Sequence, residues 1–342
     1  GTEQRACIRC ATPRRELSDR MRFVTVTLAE SVAEMDRLTS LWEQLLKLQP
    51  HSIFQRFAWN RLAAQVFADR LVPYVIAVES DCGAAIIPAC VNRQTNSLEL
   101  LGESLFDYRD VLHTGDTGVL HAAWQKLAES GLRLSVMAVE ESAAHRRWKE
   151  IPLRSFANAP QVLAADKSEW EFRAAHPKLG RFFRRLERAG ATFKVRSGLD
   201  SQVVRAIYEA KCNQFAGDPN NIFLDPMRRD FMLAATARGG SNCEVFTLET
   251  VEGKLVAALV TFRDRGTRRL YTIYFDPAWA QKSPGVVLVY EVVARSLGQG
   301  LDCDFMTGEY AYKLRLATSS RALMKVDVSA SELAERTQAD KN

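Results

Sequence analysis

From Val24 to Leu28 apolar and polar residues alternate, which predicts a strand. From Val32 to Leu48 the spacing places Met35, Leu38, Leu41, Trp42, Leu45 and Leu46 on one helical stripe. A second helix is predicted from Ala58 to Ala68, then strands over Pro73 to Glu79, Gly83 to Arg93 and Ser97 to Leu101, the last leading into Leu105 to Leu112. A helix over Val119 to Ser130 and a strand over Leu132 to Val139 complete this half. After a connecting segment from Ala144 to Ala165 the order recurs. Thr192 to Arg196 reads as a strand, Gln202 to Phe215 and Asp225 to Arg238 as helices, and Cys243 to Thr250, Lys254 to Arg263 and Arg268 to Phe275 as strands; Val286 to Gly298 then reads as a helix and Asp302 to Met306 as a strand. A duplication of about 150 residues accounts for the recurrence. The expected fold class is α/β: two tandem lobes, each a mixed central sheet flanked by helices.

The 342 residues suit two domains, here residues 21–160 and 161–330, with a disordered leader over 1–20 and a flexible tail over 331–342. A hydrophobic fraction of 47% with 25% charged residues is that of a globular protein. No apolar run approaches the ~20 residues of a membrane span, and residues 1–22 lack a signal-type apolar core, so no membrane insertion and a cytoplasmic location are expected. Seven cysteines without framework spacing read as reduced thiols, and the Cys7–Cys10 pair has no second pair or nearby histidine to complete a zinc site. The five histidines offer no metal-binding pair, and neither a Gly-x-Ser-x-Gly elbow nor a phosphate-binding Walker loop occurs. Metal, serine and nucleotide hydrolysis fall behind.

Three segments carry candidate chemistry. Ser283, Pro284, Gly285 and Val286 form a turn into a helix, where free first-turn N–H groups and the helix dipole favour a phosphate or pyrophosphate; the plain alternative is punctuation before a helix. Asp302 to Lys313 is a strand ending at a glycine and followed by a carboxylate, two phenols and an amine. Asp304 or Glu309 would accept the proton of a nucleophile, Tyr310 or Tyr312 would protonate a departing thiolate, and Lys313 would fix an acidic group. A solvated strand end with Tyr312 packed on the core is the alternative. Cys303 reads as a buried structural thiol. The helix from Pro177 to Ala189 sets the apolar stripe Leu179, Phe182, Phe183 and Leu186 against Lys178, Arg181, Arg184, Arg185 and Arg188. Such a face suits the phosphates of a nucleotide sugar, of CoA or of tRNA, or is a solvated cationic face.

The element order resembles the GNAT acyltransferase fold, and two lobes in one chain resemble the double-GNAT proteins, including the peptidyltransferases that build peptidoglycan cross-bridges. The Ser-Pro-Gly helix followed by Asp304, Phe305, Gly308, Glu309, Tyr312 and Lys313 resembles the GNAT family first known from bacterial cellulose biosynthesis. Phe54, Gln55 and Trp59 resemble its early Phe-Gln-x-x-x-Trp element, and His176-Pro177-Lys178 the start of its central basic helix. The resemblance spans residues 22–328 and implies a transferase that takes acetyl-CoA or a longer acyl-CoA, uses no metal, and acylates an amine or hydroxyl of a sugar or amino sugar, as in exopolysaccharide biosynthesis. It makes Ser283 to Val286 the donor loop, with Gln55, Lys178, Arg181, Arg185 and Tyr310 on the acceptor. It leaves open an aminoacyl-tRNA or acyl-carrier-protein donor, or a module that only binds a phosphorylated ligand; the stretch from Asn213 to Leu224 is too short for the coiled-coil arm of some cross-bridge enzymes.

Overall fold

The computed structural model describes residues 24–142, 147–148, 151–214, 216–218, 221–239 and 242–338. The expected leader, with Cys7 and Cys10, lies outside them.

The N-terminal half contributes β1 (Val24–Ala29), β2 (Leu71–Pro73), β3 (Val75–Ser80), β4 (Gly83–Ile87), β5 (Ala89–Asn92), β6 (Ser97–Leu100), β7 (Leu112–Gly115) and β8 (Arg133–Glu140). A further strand, β9 (Leu153–Val162), follows. The C-terminal half contributes β10 (Thr192–Ser197), β11 (Cys243–Glu249), β12 (Leu255–Asp264), β13 (Thr267–Phe275), β14 (Asp302–Asp304) and β15 (Ser319–Val328). One sheet runs β1-β3-β4-β7, and a second, of eleven strands, runs β10-β11-β12-β13-β14-β9-β15-β8-β6-β5-β2 across both halves. Pro88, which has no N–H to give a ladder, divides the predicted run Gly83 to Arg93 into strands of different sheets.

Where the sequence reads as a connection, β9 inserts between β14 and β15, and β15 pairs with β8 of the N-terminal half. The boundary expected at residues 160/161 therefore falls inside one strand. The expected tail carries a helix, Ala330–Gln338, whose Leu333 is buried against the N-terminal half. The predicted helix over Val32 to Leu48 breaks into Val32–Arg37 and Thr39–Leu48, where the Thr39 hydroxyl donates to Asp36 O at 2.7 Å.

Each half contains a parallel pair that meets only at its start. In the C-terminal half β13 and β14 pair from Thr267/Asp302 to Arg269/Asp304 and then part. In the N-terminal half β6 and β8 pair only at Ser97/Arg133 and Leu98/Leu134. The second gap is filled by the protein's own chain: Arg109 N–H donates to Ala138 O on β8, while its guanidinium donates to Leu100 O at 2.6 Å and Leu101 O at 3.2 Å. The strand-like run expected to lead into Leu105 to Leu112 instead turns out of the ladder, with Tyr108 at positive φ, in the left-handed region that regular strands rarely use.

The halves share an aromatic core. Trp59 on helix Phe57–Val66 lies 5.0 Å from Phe262 and 5.7 Å from Phe231, centroid to centroid, both edge-on, and Phe54 lies edge-on to Trp59 at 5.6 Å. Burying such rings adds to the adhesion that the shared eleven-stranded sheet provides between the halves. On the other face of the large sheet, helix Pro284–Gly298 is buried along nearly its whole length, under helices Glu169–Ala175 and Pro177–Arg188.

Candidate active site

The parting of β13 from β14 opens a cleft of about 820 Å³ between the halves. Leu270 to Ile273 and Phe275 line it from β13, Phe305 to Thr307 from the end of β14, and Glu103 to Asp107 from the segment that fills the N-terminal gap. Leu259, Val289 and Phe223 make much of the wall apolar, a surface suited to an alkyl or pantetheine chain.

At its floor Asp304 is 1% exposed and fully engaged. Tyr108 OH donates to Oδ1 at 2.6 Å, Met306 N–H to Oδ1 at 2.8 Å, and Arg269 Nη1 to Oδ2 at 2.6 Å. Arg269 Nε also reaches Asp264 at 3.2 Å, and Asp264 takes Ile53 N–H at 2.9 Å and Arg56 at 3.1 Å. Burial, then the neighbouring Asp304 carboxylate, pushes the Tyr108 phenol well above its ordinary range and keeps it a donor. Three of the roughly four acceptor positions of this carboxylate are filled by the core, and Asp304 is not among the residues that line the cleft. The proton-accepting role expected of Asp304 does not fit this geometry, which makes it a structural anchor between the halves.

Gln55 is likewise enclosed, at 4% exposure. Its Oε1 accepts from Ser52 N–H and the Ser52 hydroxyl, both at 2.8 Å, closing a capping box on the 3-10 turn Ile53–Gln55. Its Nε2 donates to Tyr108 O at 2.6 Å. It therefore positions Tyr108 and does not reach a ligand, as the resemblance had implied it would.

After β14 the chain turns sharply: Met306 has φ +61° and Gly308 φ +108°. A Cβ at Gly308 would stand 3.2 Å from the Tyr310 ring, so glycine serves here for both conformation and space. The turn presents two carbonyls to Lys313, whose Nζ donates to Thr307 O at 2.9 Å and Met306 O at 3.3 Å. Burial pulls this ammonium down to about 8, with Asp107 and Asp304 opposing. Tyr310, 65% exposed, stacks on Tyr312 at 6.4 Å; both line the cleft, and burial pushes the Tyr312 phenol up to about 12. Glu309 sits outside the lining, exposed, accepting from Asn158 at 3.1 Å. Burial pushes the Cys303 thiol up to about 12, in keeping with a structural thiol.

Two lining residues escape sequence reasoning. Asp107 reaches the cleft from the N-terminal half and accepts Thr307 N–H at 3.2 Å; burial raises its carboxyl above the ordinary range, against the pull of that hydrogen bond. Lys211, on helix Ser201–Gln214, donates to Ile273 O at 2.8 Å, and burial, then the nearby Lys313, draws it down to about 8.

Ser283 holds φ +49° at the start of helix Pro284–Gly298, and the first intrahelical bond runs from Val287 N–H to Ser283 O at 3.1 Å. The N–H groups of Gly285 and Val286 precede that bond at the positive end of the dipole. A Cβ on Gly285 would lie 3.2 Å from Phe275 and 3.3 Å from Ile273, both of which line the cleft. The donor-loop residues thus abut the cleft without lining it. Lys178, Arg181, Arg184, Arg185 and Arg188 are exposed, and among the described residues none has a carboxylate oxygen within 4.0 Å. Lys178 and Arg185 flank the Phe182 ring at 5.6 Å each. No metal-binding cluster of His, Cys, Asp or Glu occurs among the described residues, and none of their helices is long and apolar enough to cross a membrane.

Residues 173–314 match the family model of the acetyltransferase (GNAT) domain. Solved structures share the fold over nearly the whole chain: a conserved protein of unknown function from Bacteroides thetaiotaomicron (TM-score 0.58, 11% identity, 89% of this chain and 100% of that one), the L-PGS of Bacillus licheniformis (0.54, 12%, 87% and 95%), and FemX (0.55, 10%, 87% and 97%). No curated protein matches the sequence. The chain has the GNAT fold, and the segment that matches the acetyltransferase (GNAT) domain model contains both strands that part and the helix between them.

Proposed function

We propose that the protein is an acyltransferase that takes acetyl-CoA or a longer acyl-CoA and acylates an amine or hydroxyl of a sugar or amino sugar. The observation that carries this is the open gap between β13 and β14, with the Gly285 and Val286 N–H groups beside one side of it and Asp107 in its wall. The first-turn N–H groups would hold the donor pyrophosphate, and the apolar wall the pantetheine arm. Asp107 takes the proton as the acceptor attacks the thioester carbonyl, N–H groups on the edge of β13 that β14 leaves beyond Arg269 polarise that carbonyl, and Tyr312 returns a proton to the thiolate. The N-terminal half, its own gap filled, supplies Asp107 and shapes the acceptor side. The sugar class rests on the resemblance to the cellulose-biosynthesis family.

Calorimetry with acetyl-CoA and longer acyl-CoAs tests the reading, alongside Gly285→Trp. Binding to the native chain is expected, lost in a variant whose circular dichroism is unchanged, because an indole at 285 must displace Phe275 and Ile273 into the gap. Failure of every acyl-CoA to bind refutes the reading.

The basic helix favours a second reading, in which the acyl group arrives on tRNA. Five exposed cations at i, i+3 and i+4 spacing, without carboxylate partners among the described residues, repel one another and favour a polyanion. The test is a gel shift with bulk tRNA: an affinity falling about 10²-fold or more between 50 and 200 mM salt would support this reading. Binding that survives Arg181→Glu, Arg184→Glu and Arg188→Glu together would count against it.

A further inference from the structure

We infer that the acceptor carries an alkyl chain beside the group that is acylated, and that this chain lies across Met137, Phe156 and Tyr310 at the mouth of the cleft. This rests on the reading of the cleft as the acyl-transfer site and narrows the acceptor class within it. All three side chains line the cleft, yet Met137 is 52% and Phe156 39% exposed, and Tyr310 is more exposed than either. They come from unconnected elements, β8, β9 and the N-cap of helix Ala311–Leu316. Exposed apolar side chains that converge on one rim, unlike scattered ones, mark a binding surface.

The sheet aims two of them. β15 runs between β9 and β8, and its register shifts against both within a few residues. Against β9 the shift falls between Leu323 and Met324, where Phe156 is the extra residue. Against β8 it falls between Met324 and Val326, so that Met137 and Ala138 together oppose Lys325, and Ala138 takes φ +59°. An extra residue in a strand bends it and redirects a side chain, a device common beside active sites. Here two such shifts, one on each neighbour of β15, deliver apolar side chains to the same cleft.

The rim belongs to the acceptor side. Arg109 N–H donates to Ala138 O at 2.8 Å, which sets Met137 beside the segment that carries Asp107. Asp107 accepts Thr307 N–H, and Gly308 N–H donates at 3.1 Å to Asn158 O, two residues along β9 from Phe156. The donor loop instead abuts the cleft at Ile273 and Phe275 on β13. An acceptor whose nucleophile reaches Asp107 therefore passes over the rim. A bare sugar ring does not account for it, because Met137 and Phe156 have no group that donates to a hydroxyl or accepts strongly from one. Leu314, whose N–H donates to Tyr310 O at 3.1 Å, is 50% exposed one helical turn further on and carries the apolar strip out of the cleft. An elongated strip suits a chain.

The test is calorimetry of the full chain with the methyl and octyl glycosides of glucosamine, with and without saturating acetyl-CoA. The titrations are repeated on the double variant Met137→Ser with Phe156→Ser, and on Val251→Ser, which alters an exposed apolar residue outside the cleft lining. The octyl glycoside is expected to bind about 10-fold or more tightly than the methyl glycoside, since burying about two methylenes already supplies that factor. The preference is lost in the double variant, whose circular dichroism is unchanged, and kept in Val251→Ser and in the presence of acetyl-CoA. Equal binding of the two glycosides, or binding of neither, overturns the inference while leaving acyl-CoA binding, and the acyltransfer reading, in place. A preference that survives the double variant puts the chain elsewhere, and one that acetyl-CoA abolishes puts it in the donor path; either overturns the inference. If the glycosides behave as expected but no acyl-CoA binds, the acyltransfer reading fails and the alkyl site stands.

Discussion

Replacing Asp107 by Asn lowers kcat/KM for acyl-CoA-dependent thiol release by about 10²- to 10⁴-fold, the range of a lost general base, and leaves acyl-CoA affinity unchanged. The variant isolates proton transfer because the amide oxygen can still accept Thr307 N–H at the distance the carboxylate uses, 3.2 Å. Stability moves the other way. The folded state raises this carboxyl, chiefly through burial, so between its unfolded and folded values the folded chain binds more protons than the unfolded one. Ionised Asp107 therefore costs stability above that window, and the Asn variant is as stable as the native protein, or more so, at pH 7. Native activity rises with pH through the raised Asp107 range, while the residual activity of the variant shows no such limb. A pH-rate profile with matched urea unfolding checks both. Unchanged turnover in Asp107→Asn would return the proton to water, to Glu309 or to the acceptor itself.

Asp107 also shows where the sequence stops being legible. The repeating order of strands and helices in the two halves, including the Ser-Pro-Gly start of helix Pro284–Gly298, is visible as periodicity, because each element buries one face. The run from Leu105 to Leu112 is apolar enough to read as strand-like, yet it turns at Tyr108 and fills the gap beside β8. Local pattern cannot distinguish a strand from a buried coil whose polar groups are met by Arg109 and Ala138. The site follows the same rule. Tyr312 and Lys313 stand within a few residues of their strand end, so sequence alone brings them to the cleft. Lys211 and Asp107 lie about a hundred and two hundred residues from Thr307, and only the tertiary fold brings them near. Asp304 and Gln55 were drawn to the site by motif. Hydrogen bonds to Tyr108, invisible in the sequence, assign them to the scaffold.

That scaffold has a large expected effect of its own. Asp304→Leu removes the acceptor for Arg269 Nη1, Tyr108 OH and Met306 N–H in a site where Arg269 is 6% exposed, and breaking such a buried pair costs about 3–5 kcal/mol. The charges explain why the second half of a cycle differs from the first. Arg56 and Arg269 balance Asp264 and Asp304, so losing Asp304 alone leaves one buried positive charge in excess. Arg269→Met with Asp304→Leu restores the balance, because Asp264 keeps Arg56 and Ile53 N–H. The double variant is therefore expected to lie well above the sum of the singles, with a coupling energy of about 0.5–3 kcal/mol. Urea midpoints at constant slope measure it. Strict additivity would show that the ion pair contributes nothing as a pair, and that the Tyr108 hydrogen bond to Asp304, with those of Ile53 and Arg56 to Asp264, ties the N-terminal half to the floor of the cleft.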